Sequence, residues 1–163
     1  MNTRTFALIL GIVLLLAGVA GFIPGIVMHG DVGAVPAPGD PSAAPGGTVA
    51  DNYGYLLGLF PVNALHNLVH IVWGLYGIIA YRSFAGARGF ARASAIVYAV
   101  LTIFGLIPGL NTMFGLVPIF GHDVWLHALI AIPAAYFGFA RAADVETAPV
   151  ADTTTTTGPT RRV

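Results

Sequence analysis

Hydrophobic positions along this 163-residue chain fall into four long runs, separated by polar segments or by segments rich in proline and glycine. A helix that crosses a bilayer needs about 20 mostly apolar residues, and the runs have about that length, although the third is on the short side. We therefore predict an all-α membrane protein with four transmembrane helices, at about 5–28, 61–81, 92–107 and 123–141. Together these helices form one four-span membrane domain over 1–143.

The segments between the runs have different characters. The segment 31–52 is rich in proline and glycine without periodicity, which predicts an extended loop outside the bilayer. The segment 144–163 contains a threonine run and few apolar residues, which predicts a disordered tail. The segments 53–60 and 109–121 are apolar but too short or too broken to span, so we expect them to cover one end of the bundle.

Composition and charge narrow the class of protein and its orientation. With 56% hydrophobic and 9% charged residues, the chain is not a soluble domain. Its net charge is zero, so it lacks the excess of positive charge that nucleic-acid binding requires. The absence of cysteine excludes disulfides and thiolate ligands. All seven basic residues are arginines that fall on one side of the four-span topology, which predicts a multi-pass cell-membrane protein with both termini cytoplasmic.

The second predicted helix carries a polar stripe in its first half. Residues spaced i, i+3, i+4 and i+7 lie on one face of a helix, and this spacing is occupied by Asn63, His66, Asn67 and His70. Two small residues, Gly74 and Gly77, continue the same face. Polar side chains and a groove left by glycines are both unfavourable in contact with lipid, so this face should be covered by other helices.

The second half of the chain resembles the first. His66 aligns with His127, and the sequence Gly-Phe-Ile-Pro-Gly at 21–25 matches Gly-Leu-Ile-Pro-Gly at 105–109. Two interpretations stay open, a duplication and a chance similarity between apolar segments. A duplication would make the two helix pairs a parallel repeat, with the second and fourth helices pointing the same way.

This arrangement would bring two polar faces together. The stripe of the second helix would face Asp123 and His127 in the outer leaflet, which are spaced i, i+4 on the fourth helix. Farther along, Ala134 and Gly138 would let the fourth helix approach the glycines of the second.

The sequence Pro-Val-Asn-Ala-Leu-His-Asn-Leu-Val-His from Pro61, then Trp-Gly-Leu-Tyr-Gly and later Asp-Val-Trp-Leu-His, resembles an uncharacterised bacterial membrane family called domain of unknown function 4383. The resemblance covers roughly 5–141 without the Pro-rich loop. It implies four spans and the pairing of these motifs, and it implies no activity.

Three roles for the polar cluster stay open. The favoured one is structural, with histidine and asparagine side chains forming hydrogen bonds between helices. The second is a transition metal held by His66, His70, Asp123 and His127, or a haem between two histidines. The third is transport of a small solute or ion, for which the inner half offers no continuous ionisable path.

Enzymatic activity is not favoured, because the sequence contains no nucleophile–base pair or phosphate-binding loop. The expected partners are the lipid bilayer and either a second copy of the chain or another membrane protein.

Overall fold

A computed structural model describes residues 1–28 and 53–140. Within these ranges the chain forms four α-helices, α1 (Thr3–Ala20), α2 (Ala64–Ala80), α3 (Phe84–Leu106) and α4 (His122–Ala135). A π-helical turn, Tyr136–Ala140, extends α4. The predicted loop 31–52 and the predicted tail 144–163 lie outside the described residues.

Three of these helices are long and apolar enough to cross a membrane. They are α1 with 18 residues, α3 with 23 and α4 together with its π-helical turn with 19. The helix α2 is apolar but has only 17 residues. The described part of the chain is therefore mostly helical, and three of its helices have the length and composition that suggest a membrane protein.

The all-α prediction needs one correction, a small antiparallel sheet at one end of the helices. Its strands are β1 (Val27–Met28), β2 (Gly54–Leu56) and β3 (Phe60–Val62), in the order β1-β2-β3. The predicted cover segment 53–60 forms β2 and the turn into β3.

The first helix, predicted to reach residue 28, ends at Ala20 instead. Proline at 24 and a positive φ of 89° at Gly25 divert the chain into β1.

The third helix begins at Phe84, eight residues before the predicted start at 92. Ser83 caps it, since its side chain accepts a hydrogen bond from the backbone N–H of Gly86 at 3.0 Å. Most of the segment between the predicted second and third helices is therefore the first part of α3. The apolar pattern alone puts the start of this helix too late, because the arginines interrupt the pattern. They nevertheless lie in the helix, where they have hydrogen-bond partners. The Nε atoms of Arg88 and Arg92 donate to the carbonyl oxygen of Gly138 at 3.1 and 2.9 Å.

The glycines of α2 pack against α1. A Cβ atom on Gly74 would lie 2.7 Å from the carbonyl oxygen of Gly11, and one on Gly77 would lie 2.8 Å from the Cα of Gly11. Such distances leave no room for any side chain. These glycines therefore let the backbones of α1 and α2 approach closely.

The small residues of α4 pack elsewhere. Ala134 is fully buried in the apolar core, and a Cβ on Gly138 would lie 2.9 Å from the backbone nitrogen of Arg92 in α3. The predicted contact between these residues and the glycines of α2 is replaced by two helix pairs, α1 with α2 and α3 with α4. In each pair the two helices follow one another in the chain, and consecutive elements are usually neighbours in space.

The two ends of the helices differ chemically. One end, which we call the arginine end, contains the starts of α1 and α3 and the end of α2. There Arg4 donates from Nε to the carbonyl oxygen of Tyr81 at 2.9 Å. Next to this end the core is apolar, and the rings of Phe6 and Phe137 stack at 4.7 Å between α1 and the π-helical turn. The opposite end, which we call the sheet end, contains the start of α2 and the start of α4.

Candidate functional site

The first turn of α2 is fixed by an asparagine cap. The side chain of Asn63 accepts a hydrogen bond from the backbone N–H of His66 at 2.8 Å, which satisfies one of the free donors at the helix start. The preceding residue pair belongs to β3, where Pro61 lies on an edge strand that tolerates the missing N–H. Together they set the direction in which the polar stripe of α2 points.

The start of α4 supplies the other half of the site. Gly121 has φ +62° and makes no side-chain cap, and Asp123 follows in the first turn, where a helix favours an acidic residue. Asp123 does not face solvent, as a first-turn acid usually does. Its exposed fraction is 2%, and His127, one turn later, is also 2% exposed.

Three buried side chains converge between α2 and α4, and we call them the triad: His66, Asp123 and His127. One potential ligand atom from each lies within 4.8 Å of the others. Nδ1 of His66 is 3.9 Å from Oδ2 of Asp123, which is too long for a hydrogen bond. The imidazole rings of His66 and His127 are 6.5 Å apart between centroids.

The backbone orients the triad but does not supply a hydrogen-bond partner for each of its polar atoms. Nδ1 of His66 contacts the carbonyl oxygen of Pro61 at 3.2 Å. Because a carbonyl oxygen only accepts, a hydrogen bond here requires the tautomer with the proton on Nδ1. Among the described residues, Oδ2 of Asp123 and Nδ1 of His127 are buried without any hydrogen-bond partner.

The two asparagines of the predicted cluster behave differently. Nδ2 of Asn63 donates to the carbonyl oxygen of Leu116 at 2.8 Å, and Nδ2 of Asn67 donates to that of Gly21 at 2.7 Å. Each amide thus ties α2 to another segment, although Oδ1 of Asn67 has no partner within the described ranges. The asparagines act between chain segments, and the triad does not.

The remaining histidines lie outside the triad. His70 packs beside it, with its ring 4.5 Å from that of His66, and its Nδ1 is buried without a partner in the part of the chain that the structure describes. His122 is exposed and accepts a hydrogen bond from Nε1 of Trp125 at 2.8 Å. His29 lies outside the described residues.

Two further groups at the site were not assigned from the sequence. The ring of Tyr98 in α3 lies 5.4 Å from that of His127, and this tyrosine is 4% exposed. Its spacing from Ser94, i to i+4, was the available signal for a polar face on α3. The Pro61 carbonyl carries no sequence signal, because every residue has one.

The arrangement is suited to binding a metal ion. Two imidazoles and one carboxylate are ligands that zinc and other first-row metals accept. Ligands at 2.0–2.2 Å from a tetrahedral zinc lie about 3.4 Å apart, so the triad must contract by roughly an ångström to bind one. Three protein ligands leave at least one coordination position open.

Comparison with known proteins places the chain in a family. It matches no curated protein and no solved structure. The family model described as "Domain of unknown function (DUF4383)" matches residues 4–140, which include all of the helices and strands described above except Thr3, the first residue of α1. This confirms the resemblance seen in the sequence, and the chain belongs to the DUF4383 family.

Proposed function

We propose that this protein is a four-span membrane protein that binds a divalent transition-metal ion between α2 and α4, with His66, Asp123 and His127 as its ligands. One observation carries the proposal. The three side chains are 2–4% exposed and converge within 4.8 Å, and Asp123 Oδ2 and His127 Nδ1 have no hydrogen-bond partner in the described residues. Leaving a buried polar atom unpaired costs about 1–3 kcal/mol, and a bound cation would remove that cost for both atoms.

A purely structural role is the less supported alternative. Interhelical hydrogen bonding would require partners, and among the described residues it is the asparagines that have them. A buried carboxyl group and a buried imidazole with polar atoms that lack hydrogen bonds destabilise the fold rather than stabilising it. The structural role therefore fits Asn63 and Asn67, and the metal role fits the triad.

Haem binding has less support than a single ion. A porphyrin between two histidines needs a wide slot next to both rings. The ring of His70 lies 4.5 Å from that of His66, and the ring of Tyr98 lies 5.4 Å from that of His127. Side chains fill the space that a porphyrin would occupy.

Transport also has less support. A pathway from the triad to the arginine end would pass through the apolar core, where Phe90 and Ala134 are fully buried. Within the described ranges this core offers no chain of ionisable groups that could conduct an ion.

The proposed orientation follows from the arginines. In the described part of the chain, Arg4, Arg82, Arg88 and Arg92 all lie near the arginine end. By the positive-inside rule this end faces the cytoplasm, which puts the triad in the outer leaflet. The termini would then both be cytoplasmic, with α2 completing its crossing through the residues on either side.

Backbone conformation supports a duplicated origin for the two helix pairs. Gly25 and Gly109, which align in the repeat, have φ of +89° and +87°. Both follow the end of the first helix of a pair. A glycine with positive φ at the same place in both helix pairs is stronger evidence for a duplication than shared apolarity, because few positions require this backbone conformation.

The test is a metal analysis of the purified protein after removal of any histidine tag. We expect wild type loaded with Zn²⁺ and then desalted to retain about one ion per chain, because its ligands are already buried together. His127→Gln should lose the ion, since an amide is a poor substitute for imidazole.

The matched control is His122→Gln, the same substitution on the same helix at an exposed position outside the triad. It should keep the ion. A wild type that retains no Zn²⁺, or equal retention in both variants, would overturn the proposal.

A further inference from the structure

Two arginines of α3 bind the same atom of the π-helical turn, and we call Arg88 and Arg92 the arginine pair. Their Nε atoms donate to the carbonyl oxygen of Gly138 at 3.1 and 2.9 Å. Gly138 allows this approach, since a Cβ atom there would lie 3.0 Å from Cγ of Arg92. Because both nitrogens contact one oxygen, the two positively charged groups lie side by side.

The charge of the arginine pair has no acidic partner in the part of the chain that the structure describes. The one acidic residue in these ranges is Asp123, which lies at the sheet end. The carbonyl oxygen of Gly138 accepts hydrogen bonds but carries no full charge. Two like charges at such short range repel each other, so the pair favours an anion bound to both groups.

Most hydrogen-bond donors of the arginine pair are not used by the described part of the fold. A guanidinium group has five N–H donors, and within these ranges each arginine donates only from Nε. Aromatic rings hold both groups in place: Arg88 lies 6.0 Å from the ring centre of Phe84, and Arg92 lies 5.4 Å from that of Phe139. Arg88 is half-buried and Arg92 is exposed, so a ligand can reach the pair from outside.

An exposed apolar surface continues from the arginine pair along α3. Residues four apart are neighbours on a helix, so Ile96 and Val100 follow Arg92 on one face, and both are exposed. On the side of the π-helical turn, Phe139 is also exposed. An acyl chain can lie along these side chains while its head group contacts the arginines. A free anion would gain nothing from them, which favours a lipid as the ligand.

We propose that the arginine pair binds the phosphate group of an anionic phospholipid from the leaflet at the arginine end, with an acyl chain along Ile96 and Val100. Guanidinium groups donate parallel hydrogen bonds to phosphate oxygens, and basic sites at the ends of transmembrane helices bind such head groups. A zwitterionic lipid fits less well, because its choline brings a positive charge close to the two guanidinium groups. This proposal is independent of the metal site.

The experiment uses the full chain in a neutral detergent, with phosphatidylglycerol and phosphatidylcholine of the same acyl chains. Native mass spectrometry should show retained phosphatidylglycerol, with phosphatidylcholine bound at least about fivefold more weakly. Arg92→Gln should weaken phosphatidylglycerol binding about fivefold or more, because it removes one of the two charges. The matched control is Arg82→Gln, the same substitution at the same end but outside the pair, which should bind as wild type does.

A second pair of variants leaves both arginines in place, in case Arg92→Gln does not fold. Phe139→Glu puts a carboxylate beside Arg92 and should displace the lipid, whereas Phe139→Leu removes the ring without adding a charge and should retain it. The melting temperature of each variant checks that it is folded.

Several results would overturn the proposal. They are equal binding of the two lipids by wild type, equal losses in Arg92→Gln and Arg82→Gln, and undiminished binding in a folded Phe139→Glu. Displacement of the lipid by inorganic phosphate would assign the pair to a free anion instead. Binding that occurs only after deletion of residues 144–163, which include Asp144 and Glu146, would assign it to an acidic segment of the chain itself.

Discussion

The two asparagines and the triad differ in whether their polar atoms form hydrogen bonds to distant segments, although all of them lie at the sheet end of the molecule. Asn63 and Asn67 donate to backbone carbonyls 53 and 46 residues away in sequence. Asp123 and His127 each bury an atom that has no partner among the described residues, as Asn67 does at Oδ1, but the structure shows no side-chain hydrogen bond from either of them to a distant segment there. The residue types suit both roles, and only the contacts separate them.

This difference indicates which groups stabilise the fold and which groups reduce its stability. Buried polar groups in folded proteins are nearly always hydrogen-bonded, so the exceptions need an explanation. Strained or unpaired groups are common at functional sites, where stability elsewhere in the fold offsets their cost. We therefore expect the asparagines and the triad to respond in opposite ways to the same substitution.

The largest expected effect is the stabilisation of wild type by Zn²⁺. A ligand at 100 times its dissociation constant adds about 2.7 kcal/mol to the free energy of unfolding, so the melting temperature in detergent should rise clearly. His127→Leu should abolish the rise, and Asn67→Leu should preserve it, because only the first removes a ligand. A rise that survives in His127→Leu but disappears in Asn67→Leu would reverse the comparison.

The next effect is on stability without metal, measured in chelator by thermal or denaturant unfolding. Asn67→Leu should lower the free energy of unfolding by about 1 kcal/mol, the usual value of an interhelical hydrogen bond in membranes. His127→Leu should leave it unchanged or raise it, because an apolar side chain of similar size replaces an unpaired imidazole. If both substitutions destabilise equally, the triad contributes to the fold as the asparagines do.

The smallest effect separates the two roles of Asn63. Asn63→Ser keeps a side-chain oxygen for the helix cap but loses the donor to the Leu116 carbonyl, which should cost about 0.6 kcal/mol. Asn2 caps α1 through Thr5 at 2.7 Å and is exposed, so Asn2→Ser is the control and should cost less. Unfolding curves for the two variants measure the difference. Equal losses would mean that the cap alone accounts for the role of Asn63.

The helices were largely predictable, and their ends were not. Apolar runs of about 20 residues gave four helices, because the bilayer requires that length. The first helix ends eight residues early, where Gly21 and Pro24 interrupt it, and the third begins eight residues early at Phe84, after the Ser83 cap. The small sheet was missed because its strands have two or three residues each, too few to show a period of two.

The polar face of α2 was predictable for a related reason. Spacing alone puts His66, Asn67 and His70 on one side of any helix. Similarly, Asp123 and His127 share a face of α4 whatever packs against it. Polar residues in apolar helices avoid lipid, so the sequence also determined that these faces turn inward.

Tertiary structure alone decided which partners these faces meet. The close approach at Gly74 is to α1 rather than to α4, because backbone separation depends on how helices pair. Likewise, the hydrogen bond of Asn67 to Gly21 and the missing partner of Asp123 depend on distances between segments far apart in the chain. Helical spacing is a local property that the sequence encodes directly, whereas the satisfaction of a buried polar atom is set by whichever backbone or side chain packing brings to it.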